Sequence, residues 1–71
     1  MTANSLSVRE YVKAKRRKAG LTQVQIAGKA GVGLRFVRDL EQGKRTLRMD
    51  VVDKILWLFG SRLGPVGLPR E

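Results

Sequence analysis

The sequence predicts an all-α domain made of short helices. Glycines at positions 20, 31, 43 and 60 divide the chain into short segments, and none of them alternates between apolar and polar residues as a strand would. Two segments begin with a hydroxyl residue followed three positions later by Glu or Gln, which is the capping box of a helix N-terminus. We therefore expect four helices, followed by a tail rich in Gly and Pro that is irregular or extended.

Capping boxes mark the starts of the first two helices. The stretch SVRE predicts a helix over Val8–Ala19, because its Ser and Glu satisfy backbone N–H groups of the first turn. The basic cluster KAKRRK closes this helix beside the negative end of its dipole. The cluster also matches a nuclear localisation signal, but a solvated helix end that attracts phosphate is favoured. The stretch TQVQ predicts a short helix over Gln23–Ala30, and Gly31 ends it.

The stretch GVGLRFVRDLEQGK, residues 31–44, predicts a third helix with two different sides. At ~100° per residue, the apolar residues Phe36, Val37 and Leu40 fall together and serve the core. Charged and polar residues occupy the opposite side, which we expect to face a partner. These residues are Arg35, Arg38, Asp39 and Gln42.

The fourth helix is predicted over Met49–Phe59, and its apolar positions wrap most of the helix surface. Only a narrow stripe with Asp50, Asp53 and Lys54 is polar; it is expected to be solvated, and Trp57 falls on it. A core of this size cannot cover so much apolar surface, and Trp is enriched at the centres of interfaces. We therefore expect a homodimer. The residues expected in its interface are Trp57, Leu63, Val66 and Leu68.

Composition limits the chemistry of the chain. Its 71 residues make one domain with room for a modest core and no deep cleft. It has no Cys and no His, which excludes disulfides and the usual zinc sites, and no carboxylates converge as an acid–base pair. We expect neither an enzyme nor a metal or cofactor site. The longest apolar run, ILWLFG, is shorter than the ~20 residues of a spanning helix, and MTANSLSVRE lacks a signal-peptide core, so a cytoplasmic protein is expected.

The charge balance indicates a polyanionic partner. Fifteen Lys and Arg residues stand against six Asp and Glu residues, which gives a net charge of +9. DNA, RNA and an anionic membrane surface all attract such a protein.

Residues 23–42, QVQIAGKAGVGLRFVRDLEQ, have the layout of a DNA-binding helix-turn-helix, and this layout selects DNA among the polyanions. Two helices that cross steeply need a small residue at their contact, and Ala27 provides it. The turn needs a residue that tolerates positive φ, and Gly31 provides it. The buried seam needs apolar residues, which are Ile26, Ala30, Val32, Val37 and Leu40.

The stretches RKAGLTQ, AGVG and LEQGK resemble the phage-repressor and Cro-like helix-turn-helix proteins, the Xre family. The resemblance covers roughly Val12 to Phe59. It implies a lambda-repressor-like bundle of four to five short helices, with DNA-reading side chains on the third helix. The longer stretch RFVRDLEQGKRTLRMDVVDKIL is similar to HipB-type antitoxins, which implies a HipA-like kinase toxin as a partner.

The resemblance also implies roles for particular residues. A buried ion pair is implied between Arg16 and Glu41, and the helical wheel places both at the edges of apolar faces. The side chains expected to read base edges are Leu34, Arg35, Arg38 and Asp39. The groups expected to bind DNA phosphates are Gln23, Gly33, Gln42, Lys44 and Arg45.

Three features depart from the family pattern. Gly28 lies inside the second helix, where the family has a bulkier polar residue, and costs ~1 kcal/mol relative to Ala. Gly33 occupies the expected N-cap of the third helix, where Ser or Thr is common. The glycines and prolines of GSRLGPVGLPRE interrupt the segment in which HipB-type proteins often have a strand that pairs across the dimer.

Together these features predict a sequence-specific DNA-binding repressor that binds a palindromic operator. Its helix-turn-helix domain is expected over residues 1–60, with a tail over 61–71 that contributes to dimer contacts. The alternatives on the same fold are a phage-type repressor without a toxin, a bridging co-activator that binds proteins more than DNA, and a nonspecific nucleoid protein. A steep salt dependence with a large ratio of specific to nonspecific affinity favours the repressor.

Overall fold

The computed structural model describes residues 7–65, which form four α-helices and contain no strand. The helices are α1 (Val8–Lys18), α2 (Gln23–Ala30), α3 (Leu34–Glu41) and α4 (Met49–Leu58). The predicted all-α class is confirmed. The first and fourth helices each end one residue earlier than predicted, because Ala19 and Phe59 are their C-caps. No helix within residues 7–65 is long and apolar enough to cross a membrane.

Both predicted capping boxes form. In the first, Ser7 Oγ accepts a hydrogen bond from the Glu10 N–H at 3.2 Å, and Glu10 Oε1 accepts one from the Ser7 N–H at 3.1 Å. In the second, Thr22 Oγ1 accepts from the Gln25 N–H at 3.1 Å, and Gln25 Oε1 accepts from the Thr22 N–H at 2.8 Å. Each box satisfies backbone donors that a helix N-terminus leaves unpaired, so the starts of α1 and α2 are fixed by local sequence.

The four helices share one apolar core. Phe36, which the sequence places in this core, is half-buried and packs against its outside. Each helix contributes at least one fully covered side chain, so the helices hold one another in place. The buried apolar residues are Val12, Ile26, Ala27, Val37, Leu40, Val52, Ile55 and Leu56.

The chain after α4 is attached to the helices. Residues 61–65 have no regular secondary structure, as the glycines and prolines predict. Ser61 Oγ forms a hydrogen bond with the Tyr11 hydroxyl of α1. Asp53 Oδ1 accepts a hydrogen bond from the Leu63 N–H at 2.7 Å, and the Leu63 side chain packs on the core. The expectation that Asp53 only lies on a solvated stripe is therefore wrong, since this carboxylate holds the start of the tail.

Candidate nucleic-acid interface

The helix-turn-helix unit consists of α2, a three-residue turn and α3. Gly31 opens the turn at φ 70° and ψ 37°, a left-handed conformation that residues with a Cβ atom rarely adopt. The Val32 N–H then donates to the Ala27 carbonyl oxygen at 3.0 Å. Ala27 itself is buried, and its small side chain permits close approach of the two helices. The turn and this contact together fix the direction of α3.

The polar side of α3 is open to solvent. Arg35 and Arg38 are exposed, and neither forms an ion pair within residues 7–65. Asp39 is half-buried and lies 3.4 Å from the Lys44 ammonium group. Leu34 is half-buried and touches the core at the start of the helix. Two guanidinium groups with unused hydrogen-bond donors therefore project from α3.

An ion pair joins α1 to the end of α3. The Arg16 Nε lies 2.7 Å from Glu41 Oε2, and Arg16 Nη2 lies 2.9 Å from Glu41 Oε1. Arg16 Nη1 also donates to the Leu21 carbonyl oxygen at 3.0 Å. Glu41 is only 5% exposed, so the pair that the resemblance implies is almost fully covered. Two parallel bonds of this kind fix orientation as well as distance.

Gln23 joins the same network. Its Nε2 donates to Glu41 Oε1 at 3.1 Å, which ties the first turn of α2 to the last turn of α3. The sequence favours a DNA phosphate as the partner of Gln23 and gives no sign of this contact, because nothing local to Gln23 indicates a partner 18 positions away. The second N–H of the amide is still available to an outside acceptor.

The network keeps both of its ionisable groups charged. Burial raises the pKa of Glu41, but hydrogen bonds from Arg16 and Gln23 and the charges of Arg16 and Lys13 outweigh it, so the pKa is below the ordinary value. The hydrogen bond to Glu41 raises the pKa of Arg16. At neutral pH the pair is therefore fully ionised, and it holds α1, α2 and α3 together.

A groove of about 460 Å³ lies between the C-terminus of α1, the N-terminus of α2 and α3. Gln23 on one side and Leu34 and Arg38 on the other line it. The fold thus brings an expected phosphate-binding residue next to two expected base-reading residues. Val24, which also lines the groove and is highly exposed, was not singled out from the sequence.

The expected phosphate-binding groups lie at both ends of α3. At its start, Gly33 is an N-cap without a side-chain hydrogen bond, so backbone N–H groups of the first turn are uncovered. At its end, Gln42 is the exposed C-cap. The exposed residues Lys44 and Arg45 follow in the loop to α4.

Comparison with known proteins identifies the family. A family model described as helix-turn-helix matches residues 12–64. The chain belongs to the helix-turn-helix family of the Xre and Cro type. A protein of Sinorhizobium fredii named as an uncharacterised HTH-type transcriptional regulator, y4mF, is 45% identical over 52 residues, which are 73% of this chain and 68% of that protein. No solved structure matches the chain.

Two of the residues expected in the dimer interface of this helix-turn-helix protein are described: Trp57 lies on α4 and Leu63 in the segment that follows it. Trp57 is 75% exposed and forms a wall of a surface groove of about 600 Å³ beside α2 and α4. Leu63 is half-buried and packs on the core of its own chain, so only part of its surface is open to a second copy. Val66 and Leu68 lie outside the described residues. Met49, also exposed on α4, was not singled out from the sequence.

Proposed function

We propose that this helix-turn-helix protein is a sequence-specific transcription regulator, a repressor whose α3 enters the major groove of double-stranded DNA. Arg35 and Arg38 carry this proposal, because they are exposed, unpaired within residues 7–65, and mounted on a helix that the Arg16–Glu41 pair holds. An Arg fork matches the O6 and N7 acceptors of guanine, and one such pair discriminates between bases by ~1–3 kcal/mol. Such a regulator acts on the chromosome, so the cytoplasm is its proposed location.

The remaining side chains of the polar face of α3 suit the same task. Leu34 offers an apolar contact to a thymine methyl group, and Asp39 offers an acceptor for a cytosine amino group. We propose phosphate contacts at both ends of α3, which set the register of the helix without reading sequence. The groups proposed for these contacts are Gln23, Gly33, Gln42, Lys44 and Arg45.

Selection of duplexes from a random pool by the purified protein tests this function. Arg35→Ala is expected to weaken binding to the selected operator by roughly 5- to 150-fold, which corresponds to ~1–3 kcal/mol, and binding to random duplexes far less. Lys29→Ala removes an exposed cation near the C-terminus of α2 and is the matched control. Equal losses on both DNAs would reduce Arg35 to a phosphate anchor. A pool without any preferred sequence would refute sequence-specific binding.

We propose that the regulator binds its operator as a homodimer. Residues 1–60 form the DNA-binding domain in this proposal, and α4 with the tail over 61–71 forms the dimer contact. The exposure of Trp57 supports this, because a bare indole ring on α4 gains from coverage by a second copy. Dimerisation would set two α3 helices ~34 Å apart, one turn of DNA, on a palindromic site.

Analytical ultracentrifugation tests the dimer. The intact chain is expected to be dimeric at tens of micromolar, and Trp57→Asp and a truncation after Gly60 are expected to be monomeric. Val24→Asp places the same charge on another exposed apolar residue, on α2, and is expected to leave the dimer intact. A monomeric intact chain contradicts the proposal. If both interface variants stay dimeric, the interface lies elsewhere.

We further propose a role as the antitoxin of a HipBA-like operon, which the regulator represses while it restrains a HipA-like kinase. This finer proposal rests on the similarity of the stretch RFVRDLEQGKRTLRMDVVDKIL to HipB-type antitoxins. The adjacent gene provides the test. A kinase-like neighbour whose product co-purifies with this protein is the expected result. A neighbourhood without such a gene would favour a phage-type repressor.

A further inference from the structure

We propose that one side of α1, formed by Arg9 and Lys13, is a second phosphate-binding surface that contacts the DNA backbone next to the major groove occupied by α3. The inference rests on the proposed DNA-binding function. It adds two residues to those expected from the family resemblance, and both lie outside the helix-turn-helix unit.

Arg9 lies over the loop between α3 and α4. A Cβ atom placed on Gly43 would be 3.1 Å from Arg9 Cδ and 3.3 Å from Arg9 Nη1, so the side chain of Arg9 rests on this glycine. Gly43 directly precedes Lys44 and Arg45, which are already expected to bind phosphates. The loop therefore brings a cation of α1 into the same small region as two cations that follow α3.

Lys13 extends this region along α1. Arg9, Lys13 and Arg16 are separated by four and three positions, so they lie on one side of the helix. Lys13 lies one helical turn before Arg16, whose side chain contacts Glu41 in the last turn of α3, so Lys13 lies near that end of α3. The three cations thus run from the Gly43 loop to the groove that Arg16 shares with Arg38. We call Arg9 and Lys13 the α1 ridge.

The positive charges of the α1 ridge are available to bind an anion. Neither Arg9 nor Lys13 forms an ion pair within residues 7–65, whereas Arg16 is neutralised by Glu41. The nearby Glu10 is occupied by its capping box with Ser7. Two positive charges side by side repel each other in the free protein, and an anion that binds both removes this cost.

Geometry favours the backbone of duplex DNA as the anion. The four positions from Arg9 to Lys13 span about 6 Å of α1, while one DNA strand carries a phosphate about every 3.4 Å of helix axis. The α1 ridge thus matches the length of about two phosphates. Lys44 contacts Asp39 on the polar side of α3 and adjoins the Gly43 loop under Arg9, so the ridge borders the surface that faces DNA.

The salt dependence of binding to a mixed-sequence duplex of about 20 base pairs tests the ridge without knowledge of the operator. The logarithm of the binding constant falls linearly with the logarithm of salt concentration, by ~0.9 for each phosphate contact. Arg9→Gln and Lys13→Gln are each expected to reduce this slope by about 0.9, and the double variant by about twice as much. Lys29→Gln, at an exposed position near the C-terminus of α2, is the control and is expected to leave the slope unchanged. Arg9→Lys retains the charge and is expected to retain the slope.

If the wild-type protein binds the duplex, but Arg9→Gln and Lys13→Gln have the same salt slope as the wild type, the proposal of the α1 ridge is refuted and the proposed function is unaffected. A wild-type protein without salt-dependent duplex binding would instead overturn the proposed function. Single-stranded poly(dT) serves as a further probe, on which the variants are expected to change the slope less. An equal change on poly(dT) would also overturn the assignment to duplex DNA. Circular dichroism at the assay temperature verifies that every variant is folded.

Discussion

Replacement of Glu41 by Ala tests how much the buried ion pair contributes to the free energy of unfolding. The substitution removes two charge-assisted bonds to Arg16, at 2.7 and 2.9 Å, and one bond to Gln23 at 3.1 Å. The Arg16 side chain is only 15% exposed, so its charge loses its partner in a place that water reaches poorly. We therefore expect the variant to contain a stranded cation and an amide without its acceptor.

The expected loss is large relative to the stability of the domain. Removal of one partner from a buried ion pair costs ~3–5 kcal/mol. A 71-residue domain has a free energy of unfolding of about 4–11 kcal/mol, at roughly 0.05–0.15 kcal/mol per residue. For a domain of this size 1 kcal/mol lowers the melting temperature by about 4–8 °C, so Glu41→Ala is expected to lower it by at least about 12 °C.

Thermal and urea unfolding followed by circular dichroism measure this loss, and Arg48→Ala is the matched control. Arg48 and Asp50 are also 2.7 Å apart, but their side chains are 76% and 61% exposed, so loss of this pair is expected to leave the melting temperature unchanged. The double variant Arg16→Met, Glu41→Leu removes the stranded charge and is expected to recover much of the stability. A loss below about 1 kcal/mol for Glu41→Ala, or no recovery in the double variant, would refute the reasoning.

Three further predictions test other contacts. Because folding lowers the pKa of Glu41, the stability that its carboxylate contributes is present above the unfolded pKa of ~4.3 and is lost as pH falls through the folded pKa. Between about pH 6 and pH 3, the free energy of unfolding in urea is therefore expected to decrease less for Glu41→Gln than for the wild type. Thr22→Ala is expected to cost ~1 kcal/mol in the same assay because it removes an N-cap, while Thr22→Ser keeps the stability, and equal effects of the two would contradict the capping box. Asp53→Ala is expected to accelerate hydrogen exchange of the Leu63 N–H. Asp53→Asn keeps an oxygen acceptor and is expected to accelerate it much less. Unchanged exchange in both variants would mean that this contact does not hold the tail.

The helices of this protein could be predicted because their signals are local. Ser7 and Thr22 each bond within three positions of the chain, and Gly31 ends α2 through its own backbone conformation. The amphipathic pattern of α3 separated Val37 and Leu40, which are buried, from Arg35 and Arg38, which are exposed. Interactions between near neighbours do not depend on how the helices pack, so the sequence alone is sufficient for them.

The tertiary structure decided which polar groups meet. Gln23 lies on Glu41, Asp53 holds the Leu63 N–H, and Arg9 rests on Gly43. These partners are 10 to 34 positions apart, and their side chains come within reach only after the apolar core has set the helix positions. Helical periodicity places a residue on a side of its own helix, but it does not specify the neighbouring element that this side contacts. The sequence by itself therefore determined the helices, the charge and the exposed arginines, whereas packing of the core assembled the polar network behind α3.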